Sequence, residues 1–250
     1  MNIKKLFLLS VLIFSLTSCS HKTWTIVKES SISIPIDSNT EDLADKNYKV
    51  FLQPFKDKVD AQMNEVIGQA TETMKGHAPE SLLSNFSADV YRQAASGFLG
   101  KDVDISVVNL GSLRTEVPAG NITIRKVFEL MPFENELVIL WLRGDKLQDL
   151  LQFFASVGGE GVSGLQMEIQ KGKAVNISIG GQVLDTKKLY SIDTNDYLAG
   201  GNDIMVQLAM YEKRVNTGIK IRDILLDYIK GETKKGNMIQ SKLDGRITKH

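Results

Sequence analysis

Val103-Asp104-Ile105-Ser106-Val107-Val108-Asn109-Leu110-Gly111-Ser112-Leu113-Arg114 opens as a short β-branched run and closes on Asn and Gly, the pattern of a buried strand stopped by a turn. Just before it, Glu80 to Leu99 sets Leu82, Leu83, Phe86, Val90 and Ala94 at helical spacing and ends at Gly97 and Gly100, which predicts a largely buried helix. After it, Ile122 to Leu130 predicts a short helix and Glu136 to Leu142 an alternating strand. Asp145 to Ser156 returns to helical spacing through Leu147, Leu150, Leu151 and Phe154. From Gly164 to Asp193 three short strands are expected, separated by Lys171-Gly172-Lys173, Gly180-Gly181 and Thr186-Lys187-Lys188, punctuation that suits antiparallel hairpins. Asp203 to Lys213 and Ile221 to Gly231 read as two closing helices. Upstream, Phe55 to Met74 carries Val59, Met63, Val66, Ile67 and Ala70, an amphipathic helix or a helix passing into a strand. Strands and helices interleave without a regular βαβ period, so the expected class is α+β (mixed α/β), with layered helices and mixed or antiparallel sheets; a doubly wound parallel array is the alternative.

At the N-terminus, Lys4 and Lys5 precede an apolar run from Leu6 to Leu16, too short to span a bilayer but suited to a signal peptide. The run ends in Leu16-Thr17-Ser18-Cys19, which resembles the bacterial lipobox, where small residues precede a cysteine whose thiol receives diacylglycerol. The reading is a lipoprotein signal peptide over 1–18, a lipidated Cys19 with a tether over 19–47, and one domain over 48–250. Cys19 is the only cysteine of the sequence and so has no intrachain disulfide partner. Acyl chains at about 0.8 kcal/mol per buried CH₂ anchor durably without a transmembrane helix. The expected location is the bacterial cell envelope, facing the periplasm, with membrane contact through the lipid alone. Within the tether, Thr23 to Lys28 and Ser30 to Ile36 are expected as short strands, one of them an edge strand.

Lys and Arg number 30 and Asp and Glu 30, so no net field favours a nucleic-acid polymer or an anionic membrane surface. Hydrolytic metal sites draw on histidine, and the three here, His21, His77 and His250, are scattered with no H-x-x-x-H, H-x-H or D-x-H pairing. A self-contained dinuclear centre is not expected, and neither is any cofactor in this chain. Nor is there a G-x-S-x-G or G-x-x-x-x-G-K-[ST] stretch to support serine or P-loop chemistry. Gly158-Gly159-Glu160-Gly161 lacks the lysine and hydroxyl of a phosphate cradle and reads as a flexible loop that borders a pocket at most. No catalytic residue and no metal ligand is assigned.

Three segments at predicted strand ends combine turn-forming backbone with polar side chains: Asn109 to Arg114, Pro132-Phe133-Glu134-Asn135, and Thr194-Asn195-Asp196-Tyr197-Leu198-Ala199-Gly200-Gly201-Asn202-Asp203. In this order and spacing they resemble the C-terminal domain of the 5′-nucleotidase and UDP-sugar hydrolase family, whose patterns read N-G-G-x-R, P-F-x-N and N-x-[FY]-L-A-x-G-G-D. Ser84-Asn85-Phe86-Ser87-Ala88-Asp89 looks like the family's G-N-L-x-x-D helix, and Gly120-Asn121-Ile122-Thr123 and Asp244-Gly245-Arg246-Ile247 extend the likeness over about Lys49 to Ile247.

The resemblance implies the substrate-binding half of a two-part enzyme whose other half is a metallophosphoesterase with two metals. On that reading Phe133 and Tyr197 match the aromatic pair that sandwiches the base, worth roughly 1 to 3 kcal/mol per stacked base. Arg114 matches the arginine that forks onto phosphate. Asn109 matches a base-contacting asparagine, and Asp203 the carboxylate near the ribose hydroxyls. Asn85 and Asp89, four apart on one helix face, are expected to support the fold. The sequence departs from the pattern at Leu110, Ser112, Gly200 and Asn202. Pro79 also stands where many relatives have a second phosphate-binding arginine, which leaves fewer charges for phosphate. The implied partners are a nucleoside or nucleotide ligand and a separate metallophosphoesterase, which alone would hold divalent metals. A binding protein without turnover and a structural lipoprotein are the alternatives; hydrolysis by this chain alone lacks a nucleophile.

Overall fold

The computed structural model describes residues 24–26, 28–37, 40 and 44–250. Cys19 and the apolar run before it lie outside them. The chain divides into two units, Met1–Leu52 and Gln53–His250. In the first, the described residues among 24–37 contain no strand, so the strands expected at Ser30 to Ile36 and in the described part of Thr23 to Lys28 do not form there. Trp24, Ile26, Ile32, Ile34 and Ile36 are exposed, so there is no packed face to stabilise one.

Helix α1 (Lys46–Met63) leads into strand β1 (Val66–Ala70), so Phe55 to Met74 is a helix passing into a strand. Helix α2 (Leu82–Leu99) begins at Ser81, whose hydroxyl accepts the Ser84 N–H while Ser84 Oγ accepts the Ser81 N–H, and ends at Gly100 in the left-handed region. Strand β2 (Ile105–Val108) runs into a 3-10 turn (Leu110–Ser112); β3 (Gly120–Thr123) and helix α3 (Ile124–Leu130) follow, then β4 (Glu136–Arg143) and α4 (Gly144–Val157). Next come β5 (Gly161–Ser163), β6 (Leu165–Gln170), β7 (Lys173–Ile179), β8 (Gln182–Val183) and β9 (Leu189–Asn195). Short helix α5 (Asp196–Ala199), a 3-10 turn (Val206–Ala209), β10 (Lys213–Lys220), α6 (Ile221–Lys234) and β11 (Ile247–Lys249) complete the chain.

The helix expected over Asp203 to Lys213 is a correction. Asp203 and Ile204 both have positive φ, 52° and 64°, which stops a right-handed helix at its start. Lys213 onward pairs instead with β4. The three strands expected from Gly164 to Asp193 are four, because Gly180-Gly181 turns β7 back onto the two-residue strand β8 before β9 begins. The fold is α+β, with mixed and antiparallel sheets.

The central sheet has the order β10-β4-β9-β2-β5, with β9 and β2 parallel and the other neighbours antiparallel. β4 was expected to alternate; it is apolar on both faces. Leu137 and Ile139 point into one core with α2, α3 and α6, whereas Val138, Leu140 and Leu142 point into a second core with α4, β6 and β7. A strand buried on both sides has no solvent face to keep polar, which is why Leu137 to Leu142 reads as a continuous apolar run. The outer sheet, β11-β6-β7-β8, closes the second core. On the first side β1 pairs with β3, and α6 packs so tightly on β1 that a Cβ at Gly68 would lie 2.6 Å from Ile229 Cγ2.

Candidate functional site

The sheet order brings the three motif segments to one edge. Asn109 follows the C-terminal end of β2, and Tyr197 follows the C-terminal end of β9, its parallel neighbour. β4 is antiparallel to β9 with Leu137 opposite Asn195, so Phe133, four residues before Leu137, sits at the same edge. β5 is antiparallel to β2 with Gly161 opposite Val108, which delivers Glu160 there as well. An edge where parallel strands end is where loop side chains converge on a ligand in α/β proteins.

Two connected groups of side chains occupy this edge. In the first, Asn109 Nδ2 donates to Asp203 Oδ2 at 2.5 Å, and the Tyr197 hydroxyl donates to Asp203 Oδ1 at 3.0 Å. That bond to the carboxylate raises the Tyr197 pKa, since the phenol gives up a proton it is using. Asn195 caps α5 by accepting the Leu198 N–H, which fixes where Tyr197 projects. In the second group, the Arg114 guanidinium lies 5.7 Å from the centre of the Phe133 ring, within cation–π range. Arg114 also donates to the Gly111 carbonyl at 3.2 Å, and its backbone N–H to Leu130 O at 3.0 Å.

The loop carrying Phe133 is clamped from both sides. Arg222 donates to the Phe133 carbonyl at 3.4 Å, and Arg222 and Lys220 both donate to the Glu134 carboxylate. Lys220 first and Arg222 second hold the Glu134 carboxyl down at about 2. Asn135 Nδ2 donates to Asp196 Oδ1 at 2.9 Å, tying this loop to the start of α5 and so to Tyr197. Phe133 and Tyr197 remain 38% and 46% exposed, so both rings keep a face free for a ligand.

The sequence reading missed Glu160. Its Oε2 accepts the Leu110 N–H at 2.7 Å, beside Asn109, and burial raises its pKa from 4.5 to about 7, the Asp203 charge adding to the rise and the Leu110 hydrogen bond opposing it. The glycines around it are not a flexible loop. Gly159 has φ +124°, and a Cβ there would lie 2.6 Å from the Pro79 carbonyl oxygen; at Gly161 it would lie 2.9 Å from Val108 O. Two backbone approaches that only glycine permits thus hold Glu160 between them. The available signal was an acidic residue inside a glycine cluster, but its partner is fifty residues away.

Asn85 and Asp89 support the fold instead of the edge. Asn85 Nδ2 donates to Glu80 and to the Lys242 carbonyl, and Asp89 receives both Nη groups of Arg246. Of the histidines, His21 lies outside the described residues. Among the described residues no cluster of three or more His, Cys, Asp or Glu could hold a metal ion, and no helix is long and apolar enough to cross a membrane.

Residues 66–210 match the family model described as "5′-nucleotidase, C-terminal domain". The chain is 26% identical over 199 residues to the 5′-nucleotidase of Vibrio parahaemolyticus, covering 76% of this chain and 34% of that protein. It is 27% identical over 241 residues to the trifunctional nucleotide phosphoesterase protein of Bacillus subtilis, covering 88% of this chain and 16% of that one. Among solved structures, a 5′-nucleotidase precursor from Thermus thermophilus superposes with a TM-score of 0.70 at 28% identity, over 80% of this chain and 42% of that one. The chain spans about a third of the length of the 5′-nucleotidases of the Vibrio species that it matches.

Proposed function

Since this chain belongs to the 5′-nucleotidase C-terminal domain family, we propose that it recognises the nucleoside part of a nucleotide, in nucleotide breakdown, and works with a metallophosphoesterase carried on a separate chain. The observation that carries this reading is the convergence of Asn109, Arg114, Phe133, Tyr197 and Asp203 on one sheet edge, with both rings half exposed and the polar groups already hydrogen-bonded in place. Such an edge binds and orients: rings for a base, a carboxylate for sugar hydroxyls, a guanidinium for phosphate. Divalent metal and the nucleophile belong to the partner.

Calorimetric titration with adenosine and AMP, with and without divalent metal, tests it. Binding should need no metal, and replacing Phe133 and Tyr197 by alanine should weaken it by about 10- to 100-fold per ring. Adding the partner phosphoesterase should then raise AMP hydrolysis only with the wild-type chain. Unchanged affinity in the double variant sinks the reading. Capture without turnover is the second reading, favoured by the two carboxylates, Asp203 and Glu160, that share the edge with Arg114 and oppose phosphate. Binding with no change in the partner's rate selects it.

We also place the chain in the bacterial envelope, held by lipid on Cys19 and facing the periplasm, on the strength of the Leu16-Thr17-Ser18-Cys19 sequence. Cells fed radiolabelled palmitate should label the wild-type chain and not Cys19→Ala. Equal labelling of both rules the anchor out.

A further inference from the structure

We propose that Glu160 selects the ligand at this edge, favouring bases that carry an exocyclic amine, adenine and cytosine, over their oxo counterparts hypoxanthine and uracil. The inference rests on the nucleoside-recognition reading above and adds to it the chemistry of the base. Asn109 is 6% exposed; its Nδ2 is committed to Asp203, and its Oδ1 is buried with no hydrogen-bond partner. A buried amide oxygen without a donor is a standing deficit of the kind a ligand can fill.

Glu160 stands next to it. Its Oε2 takes the N–H of Leu110, the residue after Asn109, and among the described residues Oε1 accepts no hydrogen bond. The backbone on either side of it is closely packed, Gly159 on Pro79 and Gly161 on Val108, and the Leu110 N–H ties the carboxylate itself. Two unpartnered acceptors, Asn109 Oδ1 and Glu160 Oε1, thus belong to the same end of β2, the second brought there by the Glu160 Oε2 bond to the N–H of the residue after Asn109. Asn109 is joined through Asp203 to the Tyr197 hydroxyl, so the acceptors and the ring assigned to the base belong to one hydrogen-bonded group, and in this proposal a base stacked on Tyr197 turns its edge toward them. An –NH₂ group has two protons for two acceptors. A carbonyl oxygen in the same place meets two oxygens and is repelled, most strongly when the carboxyl is ionised.

The pair cytidine and uridine tests this, as does adenosine against inosine, because each pair has the same ring skeleton and stacking area and differs in the amine-for-carbonyl exchange and the proton that comes with it on the neighbouring ring nitrogen. Titration of the full chain at pH 8 should show cytidine bound about 10- to 100-fold more tightly than uridine. In Glu160→Gln the amide oxygen can keep the Leu110 N–H and leave an –NH₂ facing the base, so the preference should vanish or invert toward uridine. Glu160→Ala should bring the two ligands to similar affinity. Equal binding of cytidine and uridine by the wild type overturns the inference without any variant. An amine preference that survives in both variants removes Glu160 from it. Failure of all four nucleosides to bind overturns the recognition reading itself, whereas binding of all four alike overturns only the role of Glu160.

Discussion

Replacing Arg246 by methionine should destabilise the fold by about 3 kcal/mol, toward the lower end of what losing one partner of a buried ion pair costs. All five N–H donors of this guanidinium are engaged: Nε with Asp244, one Nη with Asp89 and the Val162 carbonyl, and the other with Asp89 and Asp244. Arg246 is 7% exposed, and it ties the chain end to α2 and β5. Removing it leaves Val162 O without a donor and two carboxylates without their cation. The loss stays at the lower end because the side chains of Asp89 and Asp244 are 50% and 34% exposed and can be rehydrated in part. Arg246→Lys retains the charge but cannot fork onto two carboxylates, so it should restore less than half of the loss. Urea unfolding at pH 7 measures both. A loss under about 1 kcal/mol for methionine means that the network contributes little to folding.

A second large effect concerns Asp193, which lies in β9 on the side facing α2. The carboxyl is fully buried; its Oδ2 accepts from Ser106 Oγ at 2.6 Å, and its Oδ1 has no partner. Burial raises its pKa from 3.8 to about 8, with the Ser106 hydrogen bond and the Arg92 charge pulling the other way. The Tyr91 hydroxyl, also buried and without a partner, is pushed up by its own burial and then by the Asp193 charge. Because the folded-state value is the higher one, the contribution of Asp193 to stability is fully present below about pH 4 and is lost as the pH rises through about 8. Within that window each unit costs up to about 1.4 kcal/mol. Asp193→Asn keeps the shape and an acceptor for Ser106 but cannot ionise, so it should gain on the wild type steadily from pH 4 to pH 8. Thermal melts at those two values decide it: an unchanged difference between variant and wild type shows that Asp193 titrates normally.

Asp193 also marks where sequence reading reaches its limit. In Leu189-Tyr190-Ser191-Ile192-Asp193 the polar residues alternate with apolar ones, as in a strand with one face in water. Both faces are covered, because α2 lies over Ser191 and Asp193 while Tyr190 and Ile192 enter the second core. Similarly, Asp203 to Lys213 has the composition of a helix, and its positive-φ start at Asp203-Ile204 is set by the loop's tertiary bonds from Asn109 and Tyr197 to Asp203. Local propensity is a weak prior, and these bonds to residues far along the chain or across a turn override it.

By itself the sequence determined the elements with strong local patterns. The helix Leu82–Leu99, the existence of a strand at Glu136 to Leu142 though not its burial on both faces, the hairpin turns at Lys171-Gly172 and Gly180-Gly181, and the three motif segments are all short-range signals, readable one window at a time. Only the tertiary structure decided which strand ends share an edge. The order β4-β9-β2-β5 places Phe133, Tyr197, Asn109 and Glu160 together, and it shows that the glycine cluster holds a buried carboxyl against Leu110. The physical reason is separation along the chain: Asn109 and Asp203 are 94 residues apart, and a hydrogen bond between them exists only once sheet pairing has closed that loop.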